Sequence, residues 1–169
     1  RRLKELGMEP ELSLAPSLEA PDREFLRRAA EGLSLSEDPG PELMRRADLV
    51  VGACGTAAVE ALLLRRFMVV LYRGSWSSHL AYRLLVRTPF VALPNLLLDR
   101  PIYPELLQGE VREERIVKEV LRYVEDLSFR SSVDQELRRG RERLGDPGAL
   151  AFWARAVREE LTSSEGVGA

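Results

Sequence analysis

Apolar positions in this chain first alternate, then run together, and finally recur at helical spacing. Glu11-Leu12-Ser13-Leu14-Ala15 alternates and stops at Pro16, which predicts a short strand. Between Pro21 and Gly32, Asp22 to Ala30 has helical spacing, and Leu33-Ser34-Leu35-Ser36 predicts a second, weak strand. Asp38-Pro39-Gly40-Pro41 reads as a turn, with Pro41 suited to the first turn of a helix through Ala47. Asp48 to Cys54 is an almost continuous apolar run that predicts a buried strand; Gly55 breaks it and Thr56 to Arg66 predicts a helix. Phe67 to Tyr72 predicts another buried strand, Ser75 to Val86 a helix, and Phe90-Val91-Ala92-Leu93 a short strand ended by Pro94-Asn95. A proline-punctuated stretch then leads to a helical Pro104–Gln108. Two or three charged amphipathic helices fill 112–161, and Thr162–Ala169 reads as a disordered tail.

Strands alternate with helices as far as residue 93, and the middle strands are apolar throughout. That pattern predicts an α/β fold, a Rossmann-like parallel sheet with helices on both faces, followed by carboxyl-terminal helices. The expected organisation is a partial Rossmann-like domain over 1–110, carboxyl-terminal helices over 111–161 and a tail over 162–169. A full doubly wound sheet has about six strands, whereas four or five are legible here. Arg1 to Gly7 lacks an initiating Met and reads as the end of a helix with Gly7 as its stop. The expectation is therefore a fragment whose remaining strands lie before Arg1. Removing an inner strand bares hydrogen-bonding edges, so a partner or a missing region is expected to cover them.

Composition narrows the chemistry. The 169 residues are 45% hydrophobic and 31% charged, with 25 basic and 27 acidic side chains and a net charge of -2. That balance gives no sign of nucleic-acid binding. A single cysteine excludes a disulfide framework and any cysteine-clustered zinc site, and a single histidine excludes multi-histidine metal sites. No apolar run is long enough to span a bilayer.

The best candidate for chemistry is the junction Val50-Val51-Gly52-Ala53-Cys54-Gly55-Thr56-Ala57-Ala58-Val59-Glu60. Here a buried parallel strand turns straight into a helix. Ligands of open α/β sheets bind at carboxyl strand ends, and a helix start there offers unpaired N–H groups and a partial positive charge. Gly55 permits close backbone approach and Thr56 adds a hydroxyl, which suits a phosphate. A tight turn with Thr56 as helix cap explains the same residues. Glu60 stands four residues after Thr56, on the same helix face. It is placed either to accept hydrogen bonds from two hydroxyls, as of a ribose, or simply to face water. Arg73 follows the strand Phe67–Tyr72, where it suits phosphate neutralisation or plain surface exposure.

Gly55-Thr56-Ala57-Ala58-Val59-Glu60-Ala61-Leu62-Leu63-Leu64, followed by Met68-Val69-Val70-Leu71-Tyr72-Arg73, resembles the donor-site motif of the lipid-A-disaccharide synthase family. The resemblance continues through Arg83 to Leu97, including Leu93-Pro94-Asn95, and resumes in Pro104-Glu105-Leu106-Leu107-Gln108. It implies the carboxyl-terminal, UDP-holding half of a GT-B glycosyltransferase. Such an enzyme moves diacylglucosamine from its UDP donor onto diacylglucosamine 1-phosphate, forming the β-1,6 lipid A disaccharide. The resemblance places Gly55 and Thr56 by the diphosphate, Glu60 by the ribose, and Asn95 and Gln108 in the donor pocket. It implies neither metal nor cofactor, the UDP-sugar being a substrate. It places the acidic catalytic residue in an amino-terminal domain absent from this chain, so that the chain alone would be inactive. It further implies a cytoplasmic location, peripheral to the inner face of the bacterial inner membrane, with UDP-diacylglucosamine and a lipid X-like acceptor as binding partners and no nucleic acid.

The chain departs from the family pattern in Cys54, where Ser is usual, and in Ala58, where Thr is usual; the family's first strand and its Gly-Ser-Arg loop are absent. Those departures support a competing reading, a degenerate binding or scaffold domain. A peptidoglycan-type UDP-sugar transferase is the nearest catalytic rival. Among the other landmarks, His79 reads as a helix-face residue and Cys54 as a small buried side chain. The run Arg138-Arg139-Gly140-Arg141-Glu142-Arg143 reads as a solvated helix end, and Phe152 and Trp153 as packing surface in a helix over Ala149–Leu161. If that helix crosses to another domain, its aromatic side is open to a second chain here, giving a homodimer through the carboxyl-terminal helices.

Overall fold

The computed structural model describes residues 2–74, 88–145 and 148–165. Along them run α1 (Arg2–Glu5), β1 (Glu11–Ser13), α2 (Ala20–Ala29), β2 (Ser34–Ser36), α3 (Gly40–Arg46), β3 (Leu49–Ala53), α4 (Thr56–Leu63) and β4 (Phe67–Tyr72). Beyond them come α5 (Leu93–Leu98), β5 (Glu105–Leu107), a 3-10 turn (Gln108–Glu110), α6 (Glu113–Glu125), α7 (Leu127–Arg143) and α8 (Ala149–Glu165). The helix expected over Ser75–Val86, and His79 with it, lies outside the described residues. The last helix continues through Glu165, four residues into the stretch read as a tail.

All the strand pairings are parallel, β1 with β2 and β3–β4–β5 in a second sheet. The architecture is α/β and Rossmann-like. Successive strand residues point to opposite faces. Phe67, Met68, Val69 and Val70 are all fully buried, so β4 is covered on both faces. Arg46, at the end of α3 and just before β3, reaches Glu11 of β1 at 2.9 Å and Asp38 at 2.7 Å.

Phe67 organises the core. Its ring stacks on Tyr123 of α6 at 4.2 Å and meets Tyr103 and Phe129 edge-on. Gly140 of α7 lets that helix lie directly against Leu62 of α4.

Two expected elements take other forms. Phe90 to Leu93 is not a strand: the chain turns there, and α5 starts at Leu93. The N–H groups of Val91 and Ala92 go to the Glu105 carboxylate, both at 2.9 Å, rather than to a neighbouring strand. Pro94 then fits the first helical turn, where no N–H is needed. Pro104–Gln108 is not helical either. Glu105–Leu107 forms β5 beside Val70–Tyr72, and pairing along the β4 edge overrides the helix preference of Glu, Leu and Gln. Among the described residues the two sheets hold five strands, the fifth being Glu105–Leu107 rather than Phe90–Leu93.

Candidate nucleotide site

The parallel register brings three sequence-selected residues to one edge of the sheet. Ala53 pairs with Leu71, and Tyr72 with Leu107. One step beyond, Cys54, Tyr72 and Leu107 share a level, and Gly55, Arg73 and Gln108 follow at the carboxyl ends of β3, β4 and β5. The Cys54 N–H still donates to Leu71 O at 2.8 Å, so the ladder reaches the turn itself. There the chain enters α4, whose first N–H groups lack partners within the helix and carry its partial positive charge.

The corner is open. Gly55 and Thr56 are exposed, and a Cβ placed on Gly55 would meet no atom within 4 Å. Glu60, one turn along α4, is half-buried, and its Oε2 lies 4.0 Å from where a Cβ on Gly40 would sit. Its carboxylate therefore faces the start of α3. Arg73 is exposed beside Gly74. Gln108 has left-handed backbone with φ 51, and its Nε2 is buried without a hydrogen-bond partner. A buried donor of this kind costs about 1–3 kcal/mol while unpaired. The amide nitrogen therefore lies inside the fold behind the end of β5.

Asn95 is placed differently. It is fully buried, and its amide is spent on the protein. Its Nδ2 donates to Tyr103 O and to Glu105 Oε1, both at 2.8 Å, and its Oδ1 accepts from Tyr103 N–H at 2.9 Å. It supports the loop beside the corner from beneath.

The residues that depart from the family pattern also turn inward. Cys54 Sγ donates to Val91 O at 3.6 Å, and Ala58 is fully buried. Burial, and then the charge of Glu105, push the Cys54 thiol pKa up, which favours the thiol over the thiolate. Glu105 itself is the residue that sequence reading overlooked. The signal was a carboxylate inside the apolar run Pro104–Leu107, hidden because that run reads as a helix. Among the described residues, no group of three or more His, Cys, Asp or Glu is placed to hold a metal ion. Also among them, no helix is long and apolar enough to cross a membrane.

Comparison with known proteins adds the family. The family model described as lipid-A-disaccharide synthetase matches residues 23–147. The chain is 39% identical over 159 residues to the lipid-A-disaccharide synthase of Myxococcus xanthus, covering 92% of this chain and 41% of that protein. It is 43% identical over 108 residues to the synthase of Anaeromyxobacter dehalogenans, covering 64% of this chain and 28% of that one. With the synthase of Aeromonas hydrophila it is 46% identical over 91 residues, 54% of this chain and 24% of the relative. The chain thus spans about two-fifths or less of these curated relatives. By the extent of the family match and the identity across most of its length, this chain belongs to the lipid-A-disaccharide synthase family.

Proposed function

We propose that this chain is the nucleotide-sugar-binding half of a lipid-A-disaccharide synthase. In this reading UDP-diacylglucosamine docks at the corner after β3. The bond between the anomeric carbon and the diphosphate oxygen breaks, and UDP leaves with the electron pair. The hydroxyl of diacylglucosamine 1-phosphate forms the new β-1,6 bond, and its proton goes to a base in an amino-terminal half. The present residues bind and neutralise. The first turn of α4 and Arg73 take the diphosphate charge, Glu60 accepts from the ribose hydroxyls, and Gln108 donates its amide.

The observation that supports this reading is that Gly55, Arg73 and Gln108 follow the carboxyl ends of three neighbouring strands of one parallel sheet, in which Ala53 pairs with Leu71 and Tyr72 with Leu107. A purely structural turn would not need an arginine and an unpartnered amide on the neighbouring strand ends. The substitutions at Cys54 and Ala58 favour a non-catalytic binding domain only weakly, because both side chains face the interior. The exposed Phe152 and Trp153 of α8, each 64% accessible, belong in this reading against the other half of the enzyme or a second chain.

Calorimetric titration of the full-length protein with UDP tests the proposal. Binding that weakens at least about tenfold in Glu60→Ala is expected, the scale of a lost hydrogen bond to a charged group. No binding by the full-length protein would favour the scaffold reading.

A further inference from the structure

We propose that Glu105 is the positioning residue of this nucleotide site, holding the corner after β3 through Val91. The inference rests on the reading above. Glu105 opens β5, the strand that ends at Gln108. Its Oε2 accepts from Val91 N–H at 2.9 Å, and its Oε1 accepts from Ala92 N–H at 2.9 Å and from Asn95 Nδ2 at 2.8 Å. One carboxylate therefore satisfies two successive backbone donors at the start of α5 and fixes the amide beneath them. Val91, so held, presents its carbonyl to Cys54 Sγ at 3.6 Å. Cys54 immediately precedes Gly55. The chain of contacts runs from β5 through the Val91 peptide to the turn that would receive the diphosphate.

Three features separate this role from an ordinary helix cap. The carboxylate is half-buried and spent on three donors, so it is not a solvated cap. The peptide it grips has its other side against the corner. The strand it starts leads into Gln108, the residue that the family resemblance puts in the donor pocket. Moving the carboxylate would shift two walls of the site together, and a displacement of about 1 Å is enough to matter for a preorganised site.

The test is a double-mutant cycle in the full-length protein with UDP as the probe. Glu105→Gln keeps the volume but turns an NH2 group toward a donor. It should weaken UDP binding about tenfold, on the scale of a charged hydrogen bond. Amide hydrogen exchange at residues 54–58 should accelerate even without ligand. Cys54→Ala should weaken binding by less, and the double variant should be no worse than Glu105→Gln alone, because both cut the same tie. Cys54→Ser, a better donor to Val91 O, should recover part of the loss.

A Glu105→Gln protein that melts earlier but binds UDP unchanged when folded would overturn the proposal, as would independent, multiplicative effects in the cycle. If the wild type binds no UDP, the nucleotide reading falls, and exchange at residues 54–58 still judges Glu105, unchanged exchange counting against it. Should Glu105→Gln fail to fold, unchanged corner exchange in Cys54→Ala overturns the idea by itself.

Discussion

Asn95 and Tyr103 hold one another by a reciprocal pair of hydrogen bonds, Tyr103 N–H to Asn95 Oδ1 at 2.9 Å and Asn95 Nδ2 to Tyr103 O at 2.8 Å. Both residues are fully buried, and the Tyr103 hydroxyl goes on to donate to Arg66 O at 2.7 Å. The loop between α5 and β5 is thus tied to the end of the α4–β4 connection. Asn95→Ala leaves the Tyr103 N–H and carbonyl buried without partners. At about 1–3 kcal/mol for each orphaned group, a loss of at least ~2 kcal/mol is expected. Urea unfolding checks it; a midpoint close to that of the wild type would show that water replaces the amide.

Gly140 is a packing glycine. A Cβ there would lie 2.7 Å from Leu62 Cδ1 and 3.2 Å from Leu98 Cδ1, in a fully buried contact between α7 and α4. Helix propensity alone favours Gly140→Ala by about 1 kcal/mol, while overpacking costs about 1–3 kcal/mol. The substitution should therefore destabilise the wild type. In a Leu62→Ala background the nearest crowding atoms are gone and Leu98 Cδ1 can yield into the space they leave, so the same change should stabilise. Thermal unfolding of the four proteins reads the sign in each background, and the same sign in both would contradict the packing account.

Sequence patterning reveals the elements whose burial is decided locally. The apolar runs Leu49–Ala53 and Phe67–Tyr72 are strands because nothing but a covered sheet accommodates them, and Gly55 marks the turn between strand and helix. The corner and Arg73 can be read from the sequence as positions that follow buried strands, whereas Gln108 enters only through the family resemblance, in a stretch expected to be helical. Phe90–Leu93 and Pro104–Gln108 were misread because their forms depend on each other. The Glu105 carboxylate takes the N–H groups that a strand at Val91 would have used, and the β4 edge takes the backbone that a helix at Glu105 would have used. Asn95 enters the donor pocket through the family resemblance alone, and its bonds to Tyr103 and Glu105 cannot be read from the sequence because that same pairing sets them.

Acid sensitivity should be traceable to a helix cap. Asp126 caps α7 by accepting from Phe129 N–H at 2.9 Å, and the Ser128 hydroxyl donates to it at 2.7 Å. The Phe129 N–H and then Ser128 hold its carboxyl below the usual carboxylate range. A folded pKa below the unfolded one contributes stability that is full above the ordinary value of about 3.9. That contribution is lost as pH falls through the folded value. Asp126→Asn keeps a good capping side chain but no charge. The wild type should exceed this variant in melting temperature near neutrality, and the gap should close in acid. A gap of constant size from neutral pH to about pH 2.5 would mean that the carboxylate charge is not what the cap uses.

Gly55 separates the folding role of the corner from its binding role. Its φ of 163 is extended backbone that any residue adopts, and no atom lies within 4 Å of an added Cβ. The fold itself therefore gives no reason for glycine at this position. Gly55→Ala should leave unfolding within about 0.5 kcal/mol of the wild type, as for an unobstructed surface change. A diphosphate approaching the first turn of α4 would meet the new methyl, so UDP affinity should fall about tenfold or more, the equivalent of ~1.4 kcal/mol. Calorimetry and denaturant unfolding on one preparation read both quantities. Unchanged affinity with unchanged stability would place the nucleotide elsewhere on the sheet edge, because only an empty corner tolerates that methyl in both states.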